Sequence, residues 1–179
     1  MTDSPPTLIL TARFDAVAQT FFEAARKAHF PADRNFIPAH LTLFHQLPGE
    51  HLTETVAAVR SVTSTITAPI AARCSAVQPL GNGGAFTIEA PALWTVREQI
   101  ATTFSDQLSV QDRQKSQRRP GWHVTFQNKV DRETAVRTLE TVRAAFEPFE
   151  TTIIALELWT YRGGPWGHAA TLPIGPSGP

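Results

Sequence analysis

The chain has 179 residues, of which 42% are hydrophobic and 18% charged, and its formal net charge is zero. This length suits one domain with a sizeable core, and a neutral chain lacks the charge excess that attracts long nucleic acids or anionic membranes. The single cysteine, Cys74, excludes an intrachain disulfide, and no apolar run is long enough to span a membrane. The N-terminus lacks the basic and apolar regions of a signal peptide. We therefore expect a monomeric, cytoplasmic protein without membrane association or an obligate protein partner.

The first 80 residues alternate predicted strands and helices. Residues 7–11 are rich in β-formers, and Val17, Phe21 and Ala25 then recur at helical spacing. In chain order, the pattern predicts a strand over 7–11, a helix over 15–30, a loop over 31–38, a strand from 40, a turn at 48–49, a helix over 53–62 capped by Thr53, and an extended segment over 68–80.

The remaining residues predict a similar series. Residues 81–84 are typical of a hairpin turn, and Pro91 suits the first turn of a helix. In chain order, we expect a strand over 85–89, a helix over 91–108, a basic loop over 109–120, a strand from 123, a helix over 131–146, a strand over 151–161, a last strand ending near 174, and a frayed tail over 175–179.

One four-residue pattern occurs in both series: HLTL at residues 40–43 and HVTF at residues 123–126. On a β-strand, positions i and i+2 point to one face and i+1 and i+3 to the other. Each copy therefore buries two apolar side chains and presents an imidazole and a hydroxyl on the opposite face. Two such strands facing each other would supply acid and base groups and oxyanion ligands, which is typical of a phosphoester site.

The two histidines lie 83 positions apart, and the same offset places Val59 on Val142 and Ile70 on Ile153. Identity between the halves is low, so only the pattern repeats. It predicts an α+β fold that is duplicated and bilobal, with two mainly antiparallel sheets facing across a central cleft and helices packed outside. We expect a single domain over residues 1–179, with halves of roughly 7–80 plus the C-terminal strands, and 84–162.

A lone His-x-Thr is weak, as a third copy at residues 51–54 (HLTE) demonstrates. That copy ends in a charge where a helix is predicted to begin, so we interpret it as a helix entry. The plain structural alternative for the copies at His40 and His123 is a pair of half-buried strand histidines. Because the two copies occupy equivalent places in the two series, a functional role is favoured over this structural alternative.

The chain resembles the 2H phosphoesterase superfamily and, within it, the 2′-5′ RNA ligase-like family, whose members carry two His-x-Thr/Ser-x motifs on facing strands. The resemblance runs from the strand at Ile9 to the last strand near Thr171. The other segments that carry it are Pro38, the stretch QNKV at 127–130, Leu156 with Leu158, and the turn YRGGPW at 161–166. Gly121 and Trp122 before the second histidine depart from the family, in which proline is more frequent directly before it.

The resemblance implies action on 2′,3′-cyclic phosphates or 2′-5′ phosphodiesters of nucleotides or RNA 3′-ends, without a metal or another cofactor. His40 and His123 would be the acid and the base, because imidazole titrates near neutral pH, and Thr42 and Thr125 would hold the non-bridging oxygens. The sequence leaves open which histidine is the acid. It also leaves open a non-catalytic module that binds a nucleotide or an RNA end.

Substrate-binding candidates flank both motifs. Arginines in the basic loop and beside the closing strand suit a phosphate, and aromatic residues suit a base, although the alternatives are a solvated loop and a buried core. The candidates are Arg118, Arg119 and Arg162 for phosphate, beside Arg113 and Lys115, and Phe44, Trp122, Tyr161 and Trp166 for stacking.

Two other signals are weaker. His40, His45, His123 and His168 lack the compact spacing of a metal site, so we expect none. Cys74 lies in an apolar-flanked strand, which favours burial over nucleophilic chemistry.

Overall fold

The computed structural model describes residues 6–175, so the end of the predicted frayed tail, 176–179, lies outside the described residues. It contains seven strands and five α-helices in these residues. In chain order they are β1 (Thr7–Phe14), α1 (Ala16–His29), a short 3-10 helix (Ala32–Arg34), β2 (Leu41–Leu47), α2 (Leu52–Thr63), β3 (Ile70–Pro79), β4 (Gly84–Glu89), α3 (Pro91–Thr103), α4 (Val110–Arg118), β5 (Trp122–Gln127), α5 (Arg132–Ala145), β6 (Phe149–Tyr161) and β7 (Gly167–Pro173).

The α+β class is confirmed, but the strands form one hydrogen-bonded sheet where two were predicted. The order is β2-β1-β6-β3-β4-β5, with β7 also on β6, and every pairing is antiparallel. Strand β6 joins the two parts because it is 13 residues long and pairs with β3 near its start and with β1 beyond it. The sheet curls until its two ends, β2 and β5, lie against each other.

The strand order reads the same in both directions if β2 is equated with β5, β1 with β4, and β6 with β3. Ile70 and Ile153, which the 83-residue offset equates, are directly paired across β3 and β6. A two-fold axis between two antiparallel strands pairs a residue with its own equivalent only where the axis passes, so this pair would mark the axis. The arrangement favours the duplication, which stays an interpretation together with the proposed division into halves.

Local signals explain where most helices begin. Asp15 caps α1, accepting from the N–H groups of Val17 and Ala18, and its second oxygen accepts from Thr151 and Thr152 of β6. It therefore fixes α1 on the sheet. Helix α2 begins at Leu52, so the prediction that Thr53 caps it was wrong. No side chain caps that end.

The predicted basic loop over 109–120 is mostly helix α4, which is a further correction. Ser109 accepts from the Asp112 N–H, and the Ser109 hydroxyl donates to the Asp112 carboxylate. Ser109 is therefore the N-cap residue that defines the start of this helix. Helix α3 consequently ends at Thr103 and does not reach the predicted 108.

The core lies between the curled sheet and the helices. Leucines of β1 and β2 and phenylalanines of β4 and β5 are buried in one continuous cluster. Burial of this apolar surface is the main driving force for folding. In the described residues, no helix combines the length and the apolar character needed to cross a membrane.

Candidate functional site

The two motif strands carry a β-bulge at the same point. Leu10 pairs with Phe44 while Thr11 pairs with Thr42, so Leu43 is the extra residue of β2. Gly84 pairs with Gln127 while Ala85 pairs with Thr125, which makes Phe126 the extra residue of β5. A bulge reverses the alternation of side chains beyond it, because two residues occupy the place of one.

The bulge in β2 overturns the prediction for Phe44. Up to Leu43 the alternation holds, since Leu41 and Leu43 are buried and Thr42 is half-buried. Phe44 is then turned into the core, where it is 0% exposed with the Arg97 guanidinium 4.4 Å from its ring centroid. Its ring therefore has no face for a base, and His45 takes its place on the cavity side of the strand.

The prediction for Trp122 is wrong for a simpler reason. It precedes His123 on β5, so it points to the opposite face of the strand. Its side chain is 2% exposed and stacks on Trp94 at 4.1 Å between ring centroids. Trp122 therefore packs on the face of β5 opposite His123, where a nucleobase cannot stack on it.

Backbone carbonyls two residues upstream hold both motif histidines. The His40 Nδ1 lies 2.8 Å from the Pro38 carbonyl oxygen, and His123 hydrogen-bonds to the Gly121 carbonyl. A carbonyl only accepts, so the His40 Nδ1 carries the proton and Nε2 keeps its lone pair. Neutral His40 is therefore in the tautomer that a general base at Nε2 requires.

Burial lowers the pKa of both motif histidines. It lowers the pKa of His40 to about 4, and the positive charges of Arg26, His123 and His45 act in the same direction. Burial also lowers the pKa of His123, and the charge of Lys115 adds to the effect. The charge of His123 thus acts on His40, and that of His45 acts on both, so the two imidazoles share one electrostatic environment.

Two cations join the motif strands crosswise. Lys115 of α4 donates to the Thr42 carbonyl of β2 at 2.7 Å, and Arg26 of α1 donates to the Thr125 carbonyl of β5 at 3.1 Å. Each cation thus binds the backbone of one motif and lowers the histidine pKa of the other. Burial in turn lowers the pKa of Lys115 to about 8.

The threonine hydroxyls remain available for a ligand. Thr42 and Thr125 are both half-buried beside their histidines. Only their backbone carbonyls are engaged by the cations, and neither hydroxyl hydrogen-bonds to another residue within 6–175. Together with two imidazoles and two cations, they suit an anionic ligand such as a phosphate.

A cavity of about 750 Å³ adjoins the motifs, within the size range of small-molecule sites. Arg26 and His45 line it, and Trp166 does so while packing on His40 at 5.0 Å between ring centroids. The predicted residue Tyr161 is also in its wall, 39% exposed. The structure therefore brings Tyr161 and Trp166 to the site.

The predicted arginines lie elsewhere on the surface. Arg118 ends α4 and Arg119 follows it with a positive φ of 44°, and both are exposed. The Arg119 guanidinium carbon is 5.9 Å from the Trp94 ring centroid. Arg162 is exposed in the turn after β6. None of the three lines the cavity, so their role in phosphate binding stays a prediction.

The remaining candidates have structural surroundings. Cys74 is buried, and burial raises the pKa of its thiol to about 12, as expected of a buried strand residue. His51 lies 3.9 Å from Glu54 at the start of α2, away from both motifs. His168 hydrogen-bonds to Thr171 on β7. Within residues 6–175, no group of three His, Cys, Asp or Glu side chains is placed to hold a metal ion.

Asp112 orients the third histidine of this region. Its buried carboxylate accepts from the N–H groups of His45 and Gln46, and its Oδ1 lies 3.5 Å from the His45 Nδ1. These hydrogen bonds lower the pKa of Asp112 against the effect of burial. The roles of Asp112 and Arg26 and the position of Lys115 were not predicted from the sequence. The S-x-x-D pattern at 109–112, which is typical of a helix N-terminus, was the available signal, and nothing local marks Arg26.

A curled antiparallel sheet that brings two His-x-Thr strands together around free hydroxyls and cations defines a phosphoesterase-type protein. The family model described as the 2′-5′ RNA ligase superfamily matches residues 14–165. The chain belongs to the 2′-5′ RNA ligase superfamily, as the sequence predicted.

Solved structures share the fold at low identity. TT0787 of Thermus thermophilus is 13% identical with a TM-score of 0.62, over 94% of this chain and 97% of that one. E. coli LigT complexed with 3′-AMP is 14% identical with a TM-score of 0.53, over 96% and 99%. Comparison with curated proteins finds no match.

Proposed function

We propose that the protein is a metal-independent phosphodiesterase acting on 2′,3′-cyclic phosphates or 2′-5′ phosphodiester bonds of nucleotides or RNA ends, with 2′-5′ RNA ligation as the reverse reaction. The observation that carries the proposal is the matched pair of motifs: each histidine is held by a carbonyl two residues upstream, and each threonine hydroxyl is free. The membership of the superfamily supports it, as does the 3′-AMP in the LigT structure.

The reaction needs one neutral and one protonated histidine. The neutral imidazole takes a proton from the attacking water, and the imidazolium gives a proton to the leaving ribose oxygen as its bond to phosphorus breaks. His40 suits the base, because burial keeps it neutral and its Nδ1–H is bound to Pro38. His123 would then be the acid in hydrolysis.

Charge develops on the non-bridging oxygens of the phosphate in the transition state. The Thr42 and Thr125 hydroxyls donate to these oxygens, and the positive charges of Arg26 and Lys115 lie between the motifs. Because both cations are already fixed on carbonyls, they stabilise this charge without rearrangement. A mechanism of this kind uses no metal ion.

The test is incubation with nucleoside 2′,3′-cyclic phosphates in excess chelator, using the wild type, His40→Ala and His123→Ala. Hydrolysis that persists with chelator and disappears in both variants supports the proposal. His51→Ala is the matched control, because it removes the exposed histidine of the third His-x-Thr copy, and it should leave the rate unchanged. Tight binding without turnover would identify a non-catalytic binding module, and inactivation by chelator would indicate a metal enzyme.

A further inference from the structure

The cavity beside the motifs is lined by residues other than the two histidines and two threonines proposed to act on the phosphate. Its wall includes Arg34 and Phe36 from the loop before β2, Lys129 after β5, and Tyr161 at the end of β6. No aspartate or glutamate of the described chain lines it. A wall of cations and aromatic rings without carboxylates suits an anion joined to a flat ring.

Two of the aromatic rings in this wall have open faces. Phe36 is 63% exposed and Tyr161 39%, and neither packs against another aromatic ring in residues 6–175. Phe21 is as exposed as Tyr161, yet it contacts Phe22, Phe86 and Phe149. Exposed rings without such neighbours are the usual stacking platforms for single-stranded bases.

Two further cations in this wall, Arg34 and Lys129, differ from the two that join the motifs. Arg26 and Lys115 are bound to threonine carbonyls, whereas the Lys129 ammonium has no hydrogen bond or ion pair within the described residues. Among residues 6–175, the Arg34 guanidinium has an ion pair only with its exposed neighbour Asp33, at 3.8 Å. Lys129 also has a positive φ of 63°, and its N–H is held by the Asn128 side chain. A strained non-glycine backbone of this kind is frequent at ligand sites.

We propose that this cavity binds a second nucleotide unit of the substrate, with its base against Phe36 and Tyr161 and its phosphate on Arg34 and Lys129. The inference rests on the proposed function, which places the reacting phosphate between the motifs. The preferred substrate is therefore a cyclic phosphate that ends a dinucleotide or a longer chain, and a mononucleotide fills only part of the site.

The experiment compares kcat/KM for a nucleoside 2′,3′-cyclic phosphate and for a dinucleotide that ends in the same cyclic phosphate. We expect the dinucleotide to be better by about tenfold or more, the lower end of what one stacked base contributes. The double variant Arg34→Ala/Lys129→Ala and the single variant Phe36→Ala should remove most of this advantage and leave mononucleotide turnover unchanged.

The matched control is Lys27→Ala/Arg60→Ala, which removes one lysine and one arginine from exposed helix positions outside the cavity. It should preserve the dinucleotide advantage. Equal kcat/KM for the two substrates would overturn the inference, and so would an equal loss on both substrates in the cavity variants. An ADP-ribose cyclic phosphate in the same assay shows whether the second phosphate is a phosphodiester or a pyrophosphate.

A binding measurement tests this inference independently of the proposed function. If no cyclic phosphate is hydrolysed, the proposed function fails, and calorimetry with a nucleoside 3′-phosphate and a dinucleotide 3′-phosphate still tests the cavity. Tighter binding of the dinucleotide, lost in Arg34→Ala/Lys129→Ala, supports the second unit. Equal binding of the two ligands contradicts it.

Discussion

Strands β2 and β5 present matching groups before their bulges and different residues after them. Both present a histidine and a threonine before a bulge, and both accept a cation from a helix on the threonine carbonyl. Beyond the bulge they diverge. Phe44 of β2 packs against the Arg97 guanidinium. The equivalent residue of β5, Gln127, instead donates hydrogen bonds to the His29 carbonyl and the Thr138 hydroxyl.

The residues that follow these two diverge further, because β2 continues with His45 and β5 with Asn128 and Lys129. His45 is tied to buried Asp112, whereas Asn128 supports the backbone of Lys129. The groups that we propose for proton transfer and oxyanion binding are therefore matched in the two strands. The groups that face the cavity are not matched, as expected if the cavity recognises an asymmetric ligand.

Replacing each motif histidine in turn is the most direct test of whether the two strands are equivalent in catalysis. We expect His40→Ala and His123→Ala each to lower kcat by roughly 10²–10⁴, the usual contribution of one acid or base group. The double variant should be little worse than either single one, because the groups act as a unit. Measured turnover of a cyclic phosphate checks this, and a large loss in only one variant would mean that the motifs are not equivalent.

Removal of the two threonine hydroxyls should have the next largest effect on turnover. Thr42→Val and Thr125→Val keep the side-chain volume and remove one donor to the phosphate oxygens. Each should lower kcat by about 10²–10³, as other oxyanion donors do, with KM changed much less. Steady-state kinetics separate the two constants. A purely structural threonine would instead lower the unfolding temperature and leave kcat intact.

The pH profile tests the crosswise cations. The active form has one neutral and one protonated histidine, and the pKa values of both are lowered below 6.5, so kcat/KM should peak below pH 6.5. It falls as the pH drops through the pKa of His40, about 4, and as it rises through that of His123. A flat profile between about pH 5 and 9 would contradict the mechanism.

Removing the charge of each cation should move one limb of that profile. Lys115→Met raises the pKa of His123, so the alkaline limb moves to higher pH. Arg26→Met raises the pKa of His40, so the acid limb moves upward and the bell narrows. Arg143→Met is the control, because Arg143 also donates to a carbonyl, that of Val77, but lies outside the cavity. Unmoved limbs in both cation variants would refute their electrostatic role.

The smallest effect is expected where the strands differ most. His45→Asn gives β2 the residue that β5 has at Asn128 and removes a charge that lowers the pKa of both motif histidines. Both limbs should shift slightly to higher pH, with kcat/KM changed less than about tenfold, since one such charge interaction contributes about 1 kcal/mol in a solvated cleft. A loss as large as that of His40→Ala would make His45 a catalytic residue.

Local patterns predicted much of the fold. Alternation and β-propensity located the strands, and helical periodicity located α1. Helix α4 was predicted as a loop because its polar residues give no apolar stripe, and only the N-cap residue Ser109 marks its start. The joining of all strands into one sheet was also missed, since it depends on the length of β6 and on which strands pair with it.

The sequence by itself determined the two His-x-Thr motifs, their strands and the superfamily, because these follow from local periodicity and residue type. Only the tertiary structure decided that Phe44 and Trp122 are buried, that His45 lies at the cavity, and that Arg26 and Lys115 cross between the motifs. A bulge depends on pairing with a neighbouring strand, and each cation reaches a carbonyl 73 or 99 residues away. Such contacts leave no periodic trace along the chain.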